Sequence, residues 1–256
     1  MKRIKCTVMY DGTLFNGYQR QPGQRTVQGE IEAALEKICK SPVTIHSSGR
    51  TDTGVHANGQ VFHFDSHLKM DGVRYARAFN AILPGDIYVT ESQQVHDTFH
   101  SRYHGKIKEY KYYLSTGQYN PLKRNYIYYH RVALDIDKMK EGIQYFKGTH
   151  NFTSFCGNLD EVDKIRTVYE AEIIENEGEI IFRFVGNGFL RYMIRIMVGT
   201  LIQIGEGKKN PKDILTIIES QDRRFAGHTA KPQGLYLNSV KYPKELLDPT
   251  YDLKEG

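Results

Sequence analysis

An arginine and an aspartate, Arg50 and Asp52, stand two residues apart in the stretch SGRTDTGVHANGQ, residues 48–60. In extended backbone such a pair projects to the same side. A guanidinium beside a carboxylate keeps it ionised and fixes its direction. An ionised, directed carboxylate can serve as a nucleophile or as an electrostatic stabiliser. The stretch also holds Gly49, Gly54 and Gly59, residues that allow backbone angles other side chains avoid. Residue chemistry leaves two readings open at this point: a structural turn with a surface ion pair, or a catalytic carboxylate.

Three further stretches carry chemistry-bearing residues. In NGFLRYMIRIMVGTL, Arg191 and Arg195 fall at i, i+4 of an expected helix over about 188–204. Their neighbours Leu190, Met193, Ile194, Ile196 and Met197 are apolar nearly all round, which suggests a central helix. An arginine there calls for an anion, such as Asp52 or a substrate phosphate, unless it snorkels to the surface. In YDGTLFNGYQRQPGQRTVQGE, Gln19, Arg20, Gln21 and Arg25 among glycines read either as a loop touching phosphates or base edges, or as a solvated loop. It is not a P-loop, because no GxxxxGK[ST] occurs. In HFDSH, the residues His63, Asp65 and His67 are metal-ligand types at strand spacing, but no fourth ligand is evident. A polar strand face without metal is the expectation.

These side chains need elements to hold them. The chain has 256 residues, 39% hydrophobic and 25% charged, a globular composition with enough length for a sizeable core. The net charge of +5 leans towards a polyanionic partner. There are 18 tyrosines and no tryptophan, and many tyrosines adjoin Lys or Arg, as in KEYKYY and RNYIYYHR. Aromatic faces beside cations suit unstacked bases, although strands also favour tyrosine. The widely spaced Cys6, Cys39 and Cys156 make a disulfide framework or zinc site unexpected. The opening MKRIKCTVMYDG lacks the apolar stretch of a signal peptide, and no run reaches the roughly 18 apolar residues of a membrane span. A soluble, cytoplasmic protein with no membrane association is expected.

Periodicity predicts strands at 2–10, 42–47, 59–65 and 86–95, with helices at about 26–40 and 71–82. Further on it predicts strands in KIKEYKYYLS and NYIYYHRV, a helix carrying Met139, Ile143 and Phe146, and a hairpin of 167–175 with 179–186 around Glu177-Gly178. A helix at 211–220 and a strand at 235–241 follow. The fold class expected is α+β: two ferredoxin-like halves, residues 1–104 and 105–256, with a central antiparallel sheet and a cleft between them.

The motif SGRTDTGVHANGQVFHF resembles the GRTDxGVHA signature of the TruA family of tRNA pseudouridine synthases. The resemblance extends over nearly the whole chain through YDGTLFNGYQRQ, TVQGEIEAAL, FNAILPGDI, FHSRY, KEYKYYL, NFTSF, NGFLRYMIRIMVGTL and TAKPQGLYL. It implies that Asp52 is the catalytic aspartate, that Arg50 helps hold the target nucleotide open, that Tyr110 stacks on the target base, and that Arg195 pairs with the aspartate. Leu114 would line the pocket, with Arg20, Gln21 and Arg191 on the substrate side. The family implies a tRNA substrate, a homodimer, no metal and no cofactor, and isomerisation of uridines 38, 39 and 40 in the anticodon stem-loop. The chain departs from the family at Tyr18, where many members have Trp, at Thr53, where Ala is common, and at Ser47-Ser48. These leave the reaction intact but open the question of which tRNA positions are modified. The competing readings are an RNA-binding module without catalysis and a metal-dependent hydrolase built on His63, Asp65 and His67.

Overall fold

The computed structural model describes residues 1–251 apart from 159, 161 and 177. The chain forms two compact units, one of residues 1–107 with 237 onward and one of residues 108–236.

The first unit opens with β1 (Lys2–Tyr10). Its alternation sends Ile4, Cys6, Val8 and Tyr10 inward, all at most 4% exposed. After a 3-10 turn over Gly12–Leu14 comes α1 (Val27–Cys39). Thr26 caps this helix, its hydroxyl accepting the Gly29 N–H at 3.3 Å. Val27, Ile31, Ala34 and Leu35 are the buried face, as their spacing requires. Next are β2 (His46–Ser47), β3 (His56–Ser66), α2 (Arg74–Asn80) and β4 (Ile87–Gln94). β1 pairs antiparallel with both β3 and β4. α2 lays Tyr75 and Phe79 against the sheet, where Phe79 meets Phe62 edge-on at 5.7 Å.

Two boundaries differ from the sequence-based expectation. The strand read at 42–47 is reduced to His46–Ser47. β3 starts three residues earlier than read and so begins inside the GRTDTGVHA motif. Nor does β3 alternate between buried and solvated faces: Val61, Phe62, His63 and Phe64 are all buried. The reason is cover on both faces: Phe79 of α2 packs on Phe62, while Phe99 and Ser101 meet His63 on the opposite face.

The second unit contains β5 (Ile107–Ser115, from Lys108 on), β6 (Tyr128–Tyr129), α3 (Ile136–Gln144), β7 (Gly148–Asn151), β8 (Ile165–Asn176), β9 (Glu179–Gly186), α4 (Met193–Gly205) and α5 (Asp213–Ser220). Its strands run antiparallel in the order β5-β9-β8-β7, and the two-residue β6 pairs parallel to β5. The expected hairpin joins β8 to β9; Glu177 of its turn lies outside the described residues, and Gly178 takes a φ of 83°. Met139, Ile143, Phe146 and Phe155 pack with Phe182, Phe184, Met197 and Leu201 in the core, all 0% exposed. The last strand, β10 (Leu235–Lys241), returns the chain to the first unit from Leu237 on, beside β3. Ten strands and five α-helices among the described residues make a mixed, mostly antiparallel architecture. No helix among them is long and apolar enough to cross a membrane.

Phe62 joins β3 to α2 with no exposed surface. Phe62→Ala is expected to cost about 3–5 kcal/mol of unfolding free energy, read from urea denaturation. A cost below about 1 kcal/mol would contradict this packing role.

Candidate active site

Residues 48–55 are irregular backbone ending where β3 begins. Thr51 is buried, while Arg50 is exposed and Asp52 half-buried. Three contacts set this alternation. The Thr51 hydroxyl lies 2.8 Å from the Tyr10 hydroxyl at the inner end of β1. The Thr51 carbonyl accepts the Tyr18 N–H at 3.0 Å. Asp52 then starts a turn, its carbonyl accepting the Val55 N–H at 3.1 Å, with Gly54 at a φ of 75°. Thr51 is thus held inward between an exposed Arg50 and a half-buried Asp52.

The ends of the segment are fastened as well. Ser48 Oγ donates to Gln60 Oε1 at 2.6 Å, and Gln60 Nε2 donates to the Gly49 carbonyl at 3.0 Å. His56, 1% exposed, accepts the Gly12 N–H on Nδ1 at 3.0 Å. Of the three glycines in the motif, Gly54 alone uses a left-handed angle. Gly59 is a packing residue, since a Cβ there would meet the Asn238 carbonyl of β10 at 2.6 Å.

The loop over residues 16–25 divides into two roles. Arg25 is structural: it grips both Asp86 oxygens at 2.7 and 3.0 Å, donates to Glu30 at 2.8 Å, and lies 4.2 Å over the Phe15 ring. Those carboxylates hold its guanidinium above the usual range. Arg20 and Gln21 are exposed; Arg20 rests 3.3 Å from Glu32, and Gln21 donates to the Asn16 carbonyl at 3.0 Å.

In the second unit, Tyr110 is half-buried on β5, and its ring meets Phe189 edge-on at 5.3 Å. Tyr112 and Leu114, at the following alternate positions, are fully buried. Leu114 is therefore a core residue. Arg191 and Arg195 do not share a helical face, because α4 starts at Met193. Tyr192 precedes it with a φ of 63°, a left-handed angle that costs an aromatic residue about 1–2 kcal/mol. Two cations lie against the Tyr192 ring: the Arg191 guanidinium is 4.8 Å from its centroid and that of Arg195 5.2 Å. Arg191 also donates to the Tyr192 hydroxyl at 2.9 Å. A Cβ at Gly157 would run into the ring, so glycine is required opposite it. Arg195 donates through Nε to the Ala230 carbonyl at 2.7 Å.

Asp52, Arg50, Arg20 and Gln21 thus belong to the first unit, and Tyr110, Arg191 and Arg195 to the second. Sequence reasoning missed Tyr10, Thr51, His56 and Tyr192. Thr51 was findable, since a residue between two outward charges must face inward. No feature of the sequence marks Tyr192 as left-handed.

A family model described as tRNA pseudouridine synthase matches residues 7–104 and 143–243. The chain belongs to this family. The matched ranges contain Arg50, Asp52, Arg191 and Arg195, while Tyr110 lies in the interval between them. Proteins named tRNA pseudouridine synthase A from Anoxybacillus flavithermus and an Exiguobacterium species are each 49% identical, over 94% and 95% of this chain and 99% of their own. One from Bacillus cereus, named tRNA pseudouridine synthase A 1, is also 49% identical over 94% of this chain and 99% of its own. Pseudouridine synthases are isomerases, and the chain is an enzyme of that class. A solved chain from the archaeal box H/ACA sRNP Nop10-Cbf5 complex has a TM-score of 0.35 at 16% identity, covering 78% of this chain and 42% of that one, a likeness too low to bear on the fold.

In this synthase-family chain the HFDSH residues do not converge. His63 is buried, Asp65 pairs with Arg3 at 2.8 Å, and His67 lies beyond the end of β3 and is exposed. The polar strand face expected there is correct for Asp65 but not for His63. No group of three such residues could hold a metal ion among the described residues. His63 Nδ1 accepts the Ser101 N–H at 3.2 Å, and its ring stacks at 5.1 Å on His46. Burial, helped by the neighbouring His100, Arg3 and His46, pushes the His63 pKa down to about 3.

A histidine lowered in the fold binds its proton only on unfolding, so stability falls as pH drops below the free value of about 6.5 and continues to fall towards 3. His100 and His104, lowered chiefly by burial, act in the same direction. The urea midpoint should therefore decline between pH 7 and pH 5, and His63→Asn should flatten the decline. Equal wild-type stability at the two pH values would contradict it.

Proposed function

We propose that this protein isomerises uridines 38, 39 and 40 of the tRNA anticodon stem-loop to pseudouridine, with Asp52 as the essential carboxylate. The observation that carries this reading is the anchoring of Thr51 between exposed Arg50 and half-buried Asp52, on a segment fixed at both ends. A surface turn has no need of so many buried attachments. A carboxylate that must meet one sugar carbon does.

The reaction breaks the N1–C1′ bond, turns the freed uracil and joins C5 to C1′; C5 loses a proton and N1 gains one. The target nucleotide must first leave its stack, at a cost of a few kcal/mol. In this reading Arg50 holds the nucleotide open, and the Tyr110 ring, braced by Phe189, receives the base. Asp52 acts at the sugar, and Arg195 is the arginine that the family resemblance assigns to the same reaction. Arg20, Gln21 and Arg191 meet the surrounding RNA. The two units are taken as ferredoxin-like halves, and the enzyme as a cytoplasmic homodimer.

Incubating the purified protein with an unmodified tRNA transcript, without added metal or cofactor, should yield pseudouridine at positions 38–40. Arg195→Ala should lower the single-turnover rate by roughly 10²-fold or more. Binding without any modified base would favour an RNA-binding module. A fully active Arg195→Ala protein would remove that residue from the mechanism.

A further inference from the structure

After α5 the chain makes a 3-10 turn over Arg223–Phe225 and then runs as a strap to Lys231. The strap is well attached within the second unit. Gly227 N–H donates to Thr200 Oγ1 at 2.8 Å, and Ala230 exchanges bonds with Arg195, its N–H to the Arg195 carbonyl at 3.0 Å and its carbonyl from Arg195 Nε at 2.7 Å. The Lys231 carbonyl accepts the Tyr112 hydroxyl at 2.8 Å.

Two adjacent arginines open this strap, and one carboxylate stands beside them. Asp222 is taken by Arg224, which donates to both of its oxygens through Nε at 3.0 and 2.9 Å. Arg223 is half-buried and has no carboxylate partner among the described residues. Its guanidinium reaches only the Ala226 carbonyl and the Thr229 hydroxyl, each at 3.4 Å, the long end of hydrogen bonding. Burial lowers its pKa with no opposing charge, and Arg223 in turn helps lower that of His228. The site therefore carries uncompensated positive charge, a condition that an oxyanion relieves. Next along the turn, Phe225 is 56% exposed, the only exposed phenylalanine among the described residues.

We propose that Arg223 and Phe225 form a nucleotide subsite, Arg223 taking a phosphodiester oxyanion and Phe225 stacking on the face of an unpaired base. A fork of donors and an exposed aromatic ring two residues apart on one turn offer the chemistry that holds single-stranded RNA. The proposal rests on the reading of the protein as an RNA-modifying enzyme. It adds a contact tied to Arg195 through the Thr229–Ala230 segment.

The two residues have different salt signatures. With an unmodified tRNA transcript as probe, Arg223→Ala and Arg223→Gln should each lower the slope of log K against log salt by about 0.7–0.9, the value of one lost phosphate contact. Arg223→Lys should keep the slope and bind only a few-fold more weakly. Phe225→Ala should bind about tenfold more weakly with the slope unchanged. Thermal melting of the free proteins should match wild type for Arg223→Lys and Phe225→Ala. A wild-type slope in both neutral Arg223 variants, or wild-type affinity in Phe225→Ala, would overturn the subsite. Failure of the parent reading looks different: wild-type protein would then bind tRNA and form no pseudouridine, whatever the slopes.

Discussion

The inward hold on Thr51 is the constraint on which the geometry of the motif segment depends. Its hydroxyl meets Tyr10 and its carbonyl meets the Tyr18 N–H, so the backbone cannot rotate without breaking a buried hydrogen bond. A buried polar group that loses its partner costs about 1–3 kcal/mol, enough to hold one arrangement against its neighbours. Thr51 faces in between an exposed Arg50 and a half-buried Asp52. β1 thereby has two tasks: its apolar positions build the sheet, and its last inward residue, Tyr10, reaches the motif with a polar tip.

The second unit uses strain where the first uses hydrogen bonds. Tyr192 holds an angle that its side chain disfavours, and both Arg191 and Arg195 lie against its ring. A regular helix through 188–204 would have placed both arginines on one face, competing for the same anion. Breaking the helix before Met193 separates them: Arg191 stays at the surface, and Arg195 turns to the Ala230 strap. The arrangement differs from the sequence-based one, with Arg195 on a backbone carbonyl and against the Tyr192 ring.

Periodic elements were legible in the sequence because burial alone dictates them. The inward set Ile4, Cys6, Val8 and Tyr10 and the helical set Val27, Ile31, Ala34 and Leu35 are the ones found in the core. Where tertiary contacts decide, the sequence was a poorer guide. β3 is buried on both faces because α2 covers one and the segment carrying Phe99 and Ser101 meets the other, which its own residues do not announce. β7, Gly148–Asn151, has no apolar alternation, and its pairing with β8 makes it a strand. The return of β10 to the first unit is likewise a long-range event. In the candidate site, Arg50 and Asp52 were readable as candidates by type and spacing. Tyr10 and His56 were not, because their roles arise from what they reach across the fold.

The central claim is that Asp52 does the chemistry while other residues hold the RNA. Measuring tRNA affinity and single-turnover pseudouridine formation side by side for Asp52→Asn tests it directly, since the substitution keeps shape and removes charge. The account predicts affinity within about threefold of wild type, the scale of one rim charge, and a rate lower by roughly 10³-fold or more, as for loss of an essential catalytic group. Substantial turnover by the variant, or loss of tRNA binding large enough to explain the lost rate, would contradict it.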